Sequence, residues 1–171
     1  MISGRSNPVS GVCFSNDASF ILSSSWDGFC RIWQTYLGLC LKSFKVFGVP
    51  ICFSTLSPNS EYALTFSSNS LIKLIRINDG KDVGIYRGHK NDRYLLFGGF
   101  SMDQNGNSEV YSASEDGKII CWDLEKQEKK WEIKINEGPI LFVDINKNGK
   151  KIIACSSNEA DRSIRIYDRN D

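Results

Sequence analysis

Short stretches rich in β-branched and aromatic residues recur along the chain, separated by clusters of Asp, Asn, Gly and Ser. This pattern predicts strands joined by tight turns. Residues 94–135 show the unit most completely, with strands expected at 94–102 (YLLFGGFSM), 109–115 (EVYSASE), 118–123 (KIICWD) and 129–135 (KKWEIKI). Between them, Asp103 to Asn107 supplies residues that tolerate positive φ, and Glu115-Asp116-Gly117 suits a tight hairpin. The charged run from Glu125 to Glu128 marks an exposed rim. Some strands alternate apolar and polar residues and others are continuously apolar, as expected of sheets covered on both faces by neighbours.

The hairpin turn recurs. SSSWDGFCRIWQ carries Asp27 and Trp33, FSSNSLIKLIRI has Asn69 and Ile75, SASEDGKIICWD has Asp116 and Trp122, and SSNEADRSIRIYD has Asp161 and Tyr167. The turn residues are spaced by 42, 47 and 45 positions. That period is expected of a β-propeller built from four-stranded blades, here four repeats at about 1–46, 47–87, 88–135 and 136–171. In such an all-β fold, function belongs to the surfaces that the blades present.

Composition narrows the chemistry. The 171 residues are 41% hydrophobic and 24% charged, with a net charge of +1, so no basic excess attracts a phosphate backbone and direct nucleic-acid binding is not expected. No apolar run reaches the roughly 18 residues of a spanning helix, and the opening MISGRSN lacks the apolar stretch of a secretory signal. Neither a membrane nor an oxidising compartment is therefore expected. Cys13, Cys30, Cys40, Cys52, Cys121 and Cys155 fall singly within expected strands without metal-ligand spacing, and are read as packed thiols. The single histidine, His89, leaves little for Ser-His-Asp catalysis or a zinc site. No enzyme activity, metal or cofactor is expected.

Gly88-His89 precedes the third copy, Ser112 lies four residues before Asp116 and Trp122 six after it, and in this the chain resembles the WD-repeat family. The resemblance implies that His89, Ser112, Asp116 and Trp122 form a buried hydrogen-bonded tetrad pinning that blade. The first copy keeps Ser23, Asp27 and Trp33 but has Gly4-Arg5 in place of Gly-His, and the second keeps Thr65 with Asn69 and Ile75. Those two blades are expected to be less rigidly pinned.

SSSWDGFCRIW, LSPNSEYAL, YRGHKNDRYLLFGGFS and NEADRSIRIY together resemble the carboxy-terminal four repeats of the WD-repeat subunit of COMPASS and MLL-type histone lysine methyltransferase complexes. That resemblance implies a nuclear scaffold with two docking sites. One is an arginine-peptide pocket, for a histone tail or a methyltransferase segment, in which Phe97 matches one of two sandwiching rings. Phe53, Tyr94, Leu95, Trp26, Ser10, Cys52 and Glu159 match its surroundings, and the second ring has no counterpart in these residues. The other site is a groove for a second complex subunit, matched by Asn59, Tyr62, Leu74, Val83, Phe100, Met102 and Glu125. Phe53, Phe97, Phe100, Leu74 and Val83 also suit blade core, whereas a Trp immediately before a turn Asp points to a channel mouth.

Seven blades close the ring in that family, and four are encoded here. The repeats are expected to form an open arc or a fragment of such a propeller, to close with wide wedges, or to pair two chains into an eight-bladed ring, with self-association through open ends. A WD scaffold of another system, such as a ubiquitin ligase adaptor or an RNA-processing subunit, is the alternative function.

Overall fold

A computed structural model describes residues 7–146, 148–156 and 163–169. It divides into two compact units, Met1–Ile85 and Tyr86–Asp171. In the first, β1 (Val9–Phe14), β2 (Phe20–Ser25), β3 (Phe29–Gln34) and β4 (Cys40–Lys45) form one antiparallel sheet in chain order. The next sheet runs β5 (Ile51–Leu56), β6 (Tyr62–Ser67), β7 (Ile72–Arg76) and β8 (Asp82–Tyr86), its last residue passing into the second unit. The second unit holds a sheet of β9 (Gly98–Met102), β10 (Ser108–Ala113), β11 (Lys118–Asp123) and β12 (Lys129–Lys134). Its other sheet, among the described residues, has three strands, β13 (Ile140–Ile145), β14 (Lys151–Ser156) and β15 (Ile164–Asp168). These are the four propeller-type blades that the repeat predicts.

The hydrophobic effect joins the sheets in pairs. In the first unit Leu22, Cys30 and Ile32 of the first sheet pack with Ile51, Ala63 and Ile75 of the second. In the second unit Tyr111, Ile119 and Cys121 pack with Val143, Ile145 and Ile152. Each aliphatic residue so buried contributes about 1.5–3 kcal/mol relative to exposure. Burial also pushes the Cys121 thiol well above its usual range. Cys30 and Cys52 are buried too, but Cys40 is exposed, so the expectation of six packed thiols fails there. Cys40 opens β4 opposite Trp33, on the outermost strand, whose first residues face water.

The first strand of the third sheet is shorter than 94–102. Its expected first donors are taken elsewhere: Glu115 Oε1 accepts the backbone N–H groups of Asp92 (2.9 Å), Arg93 (2.6 Å) and Tyr94 (2.8 Å), and the Phe97 N–H donates to the Leu141 carbonyl at 3.0 Å. Those donors are lost to a ladder, and the strand starts at Gly98.

Turn glycines fix the register. Gly117, at φ +80°, offers its carbonyl to the Ile135 and Asn136 N–H groups at 2.8 and 3.2 Å, and Gly28, also at +80°, does the same for Val46 and Phe47. A Cβ on Gly117 would overlap the carbonyl of Asn136. Gly106 has a similar φ of +84° but open space around it. We expect Gly106→Ala to cost about 1–2 kcal/mol for left-handed strain. Gly117→Ala should cost at least about 1 kcal/mol more, because the fourth strand must move. Urea midpoints measure both, and equal losses would contradict the close approach.

Candidate protein-interaction surfaces

The polar chain behind the hairpin turn of the third sheet differs from the expected tetrad. In the third sheet the Trp122 indole donates to the Arg87 carbonyl at 3.0 Å, the Ser112 hydroxyl turns to the Ala113 carbonyl at 2.7 Å, and His89 is buried with neither ring nitrogen hydrogen-bonded. A carbonyl of the segment leading to Gly88 reaches the indole first, leaving the serine to satisfy itself locally. His89 contacts Trp122 only edge to face, with centroids 6.2 Å apart. The expected tryptophan–serine link instead forms in the first sheet, where Trp33 donates to Ser23 Oγ at 2.6 Å.

Ser114 makes the connection assigned to the tetrad. It accepts the Lys90 N–H at 2.8 Å and donates to Asp116 Oδ1 at 2.6 Å. The sequence carried the clue, a serine two residues before the turn Asp or Asn in the first three repeats: Ser67 donates to Asn69, and Ser25 Oγ accepts the Asp27 N–H at 3.3 Å. The Gly4-Arg5 and Asp161 positions lie outside the described residues.

Of the arginine-pocket residues in the first unit, Trp26 is 47% exposed, beside a turn in which Asp27 pairs with Arg31 at 2.8 Å. Ser10 meets Ser24 at 3.3 Å, Cys52 is buried, and Phe53 lies 5.7 Å from Phe66, ring to ring. In the second unit the Glu115 anchor turns Tyr94 and Leu95 outward, and both are exposed. Phe97 has a ring neighbour that sequence reasoning missed. Phe142 stands 5.4 Å away, tilted by 45°. This is direct ring-to-ring contact, with no gap for a guanidinium between the two. Phe142 occupies the first strand of the next repeat, but nothing in its spacing marked it as a partner of Phe97. Glu159 lies outside the described residues.

Of the second-groove residues, Asn59 is exposed in a turn where it accepts from Ser57 at 2.6 Å, while Tyr62 and Val83 are half-buried. Leu74 is a correction: it is buried, opposite Leu64 on the adjacent strand, at the β7 position that Ile32 occupies in β3. That position faces core in both sheets. In the second unit Phe100 is half-buried, and Met102 and Glu125 are exposed.

A further surface had no place in the sequence expectations. The turn joining β3 to β4 and the start of β4 are apolar, with Tyr36 92% exposed and Leu37, Leu39 and Leu41 all more than half exposed. At the corresponding turn the third sheet has Glu125, Lys126, Gln127 and Glu128. Leucines between two turn residues were the available clue.

Residues 1–34, 80–123 and 128–168, more than half of the chain, match the family described as WD domain, G-beta repeat. The chain is 31% identical over 121 residues to an uncharacterized WD repeat-containing protein of Schizosaccharomyces pombe, covering 71% of this chain and 39% of that protein. It is 34% identical over 104 residues to WD repeat domain-containing protein 83 of Rattus norvegicus, covering 61% of this chain and 31% of the relative. A guanine nucleotide-binding protein subunit beta of Saccharomyces cerevisiae is 25% identical over 150 residues, with 85% and 34% covered. The chain thus spans about a third of the length of these curated relatives. Its fold is similar to the crystal structure of the computationally designed Ika4 protein, with a TM-score of 0.78 over 99% of this chain and 96% of that one at 14% identity.

Proposed function

The chain belongs to the WD domain, G-beta repeat family, whose members generally act as non-catalytic scaffolds for other proteins, and from that premise we propose that it is itself such a scaffold. The observation that carries this reading is the apolar turn Tyr36 to Leu41. Large side chains clustered in water are costly to a monomer and are found where a partner covers them. Tyr36 and Leu39 are its anchors.

Within this reading we place the protein in a nuclear histone lysine methyltransferase complex, binding arginine-containing peptide segments. The support is the run YRGHKNDRYLLFGGFS, whose Tyr94 and Leu95 are held outward by Glu115. An arginine side chain suits an exposed aromatic face, worth about 0.5–1 kcal/mol there, and its donors suit nearby carbonyls.

Affinity purification of the tagged chain with identification of the co-purifying proteins tests both levels. SET-domain subunits are expected, and cullin or RNA-processing partners would move the scaffold to another system. A Tyr36→Ser, Leu39→Ser variant should keep its stability within about 0.5 kcal/mol per substitution, since both sites are exposed, and lose partners. An unchanged partner set would remove this turn from the function. Calorimetry with an arginine peptide, repeated on Tyr94→Ala, tests the finer reading.

A further inference from the structure

Beside the apolar turn of the first sheet lies a strand edge with unused backbone groups. β4 is the last strand of its sheet, at the opposite edge from β1, which lies against β5. The first and second sheets meet through their faces, so a neighbouring blade does not reach this outer edge. Val46 donates to the Gly28 carbonyl at 2.9 Å, and the next residues along the ladder place Lys45 opposite Phe29 and Ser43 opposite Arg31. Bonded and non-bonded pairs alternate in an antiparallel ladder, so Ser43 and Lys45 turn their N–H and C=O groups away from β3. Both residues are exposed.

Equivalent turns elsewhere in the chain are charged. The Gln34 N–H donates to the Leu39 carbonyl as Arg76 does to Lys81 and Asp123 to Glu128. Tyr36, Leu37 and Leu39 therefore hold the places of Asn78, Asp79 and Lys81 in the second sheet and of Glu125, Lys126 and Glu128 in the third. Along the edge itself, Trp33 pairs with Cys40 as Trp122 pairs with Lys129, so Leu41 and Ser43 hold the places of Lys130 and Glu132. Charged side chains on an outer strand guard it against pairing with another chain. The third sheet has that guard, whereas β4 keeps only Lys45 on this side. Lys42 is turned the other way, its Nζ on the Ile77 and Asn78 carbonyls at 3.2 and 2.7 Å. Among the described residues Lys45 meets no carboxylate, and β4 itself contains none.

Resting on the scaffold reading of the apolar turn, we propose that β4 takes its partner by strand addition. An extended acidic segment of another protein pairs with the free edge, lays apolar side chains at alternate positions over Leu41 and the Tyr36–Leu39 turn, and sets a carboxylate against Lys45. A docked helix would leave the outward N–H and C=O groups of Ser43 and Lys45 without partners. A second copy of β4 would add lysines to an edge that holds no acid, whereas an acidic strand is complementary to it.

The test pans a random peptide library on the full chain. Enriched peptides are expected to alternate apolar residues with Asp or Glu, and on binding to slow amide exchange at Ser43 and Lys45. Ser43→Pro removes an outward N–H at an edge position where proline is tolerated, so the melting temperature should hold while affinity falls at least about tenfold. Lys45→Glu should weaken binding roughly fivefold. Methylating peptide nitrogens one at a time should abolish binding at alternate residues only. If Ser43→Pro lowers the melting temperature, Lys45→Glu and the methylation series decide instead. Peptides lost on Tyr36→Ser, Leu39→Ser but indifferent to Ser43→Pro and to methylation would overturn strand addition and leave the scaffold reading standing. Peptides indifferent to the turn substitutions as well would overturn both. The proposal also fails if no enriched peptide depends on this edge, or if the wild-type chain forms a dimer that Ser43→Pro dissolves, which would give the edge to a second copy.

Discussion

Arg169→Ala is expected to lower the unfolding free energy by about 3–5 kcal/mol, the usual consequence of removing one partner from a buried ion pair. Glu109, on β10, is completely buried. Arg169, following β15, grips it with two parallel bonds of 2.8 and 2.9 Å, joining positions sixty residues apart. Lys130 Nζ lies 2.7 Å from the same carboxylate, Ser101 donates to it at 3.2 Å, and the guanidinium sits 5.0 Å over the Trp131 ring. Without Arg169 the carboxylate keeps its burial and loses its bidentate partner. Burial alone would raise the Glu109 carboxyl, but the hydrogen bonds from Arg169 and Lys130 outweigh it and hold it below the ordinary glutamate value. With the folded value depressed, the stability from this group is present above the unfolded glutamate range and disappears as pH falls through the folded value.

Two comparisons make that result interpretable. Lys151→Ala, which removes an exposed pair with Asp168 at 2.6 Å, should cost no more than about 1 kcal/mol. An Arg169→Met, Glu109→Leu double variant should recover much of the loss, since an apolar pair of similar volume avoids the desolvation penalty. If urea unfolding gave Arg169→Ala and Lys151→Ala the same midpoint, the network would not bind the third and fourth sheets as described.

The second large effect concerns acid. His89 is buried, and desolvation lowers its pKa to about 4, against the smaller opposing influence of Asp116 and Glu115. An unfolded histidine takes up its proton near pH 6.5, whereas the folded one stays neutral until about pH 4. Between those values the unfolded state binds more protons, so stability falls as pH drops through that window and levels off below it. The shift corresponds to about 3 kcal/mol in all. His89→Phe keeps a ring against Trp122 and removes the titration, and its stability should fall much less over the same range, with only the carboxylates contributing near its acid end. A wild-type curve that did not fall between pH 6.5 and 4, or a variant curve that fell as steeply, would show that His89 is hydrated or paired in solution.

Neighbouring residues decided what was legible beforehand. Strand positions in the third repeat follow from runs such as KIICWD, and the hairpin at Gly117 follows from a residue type that accepts a left-handed backbone without strain. The propeller repeat follows from the spacing of those turns, and the resemblance to the WD-repeat family from Gly88-His89, Ser112, Asp116 and Trp122. The candidate sites were less legible. Leu74 matched a groove by residue type, yet its place in the register makes it core, and Phe97 matched half an arginine sandwich, yet it contacts Phe142 directly.

The amino-acid sequence by itself determined the repeat, the strands and the turns, because those depend on backbone preferences and side-chain alternation over a few residues. Only the tertiary structure decided where the Trp122 indole donates, that Glu109 meets Arg169, and which apolar faces remain in water. Those outcomes depend on which groups come within a few ångströms of each other across sheets, and no local pattern encodes the competition among acceptors there.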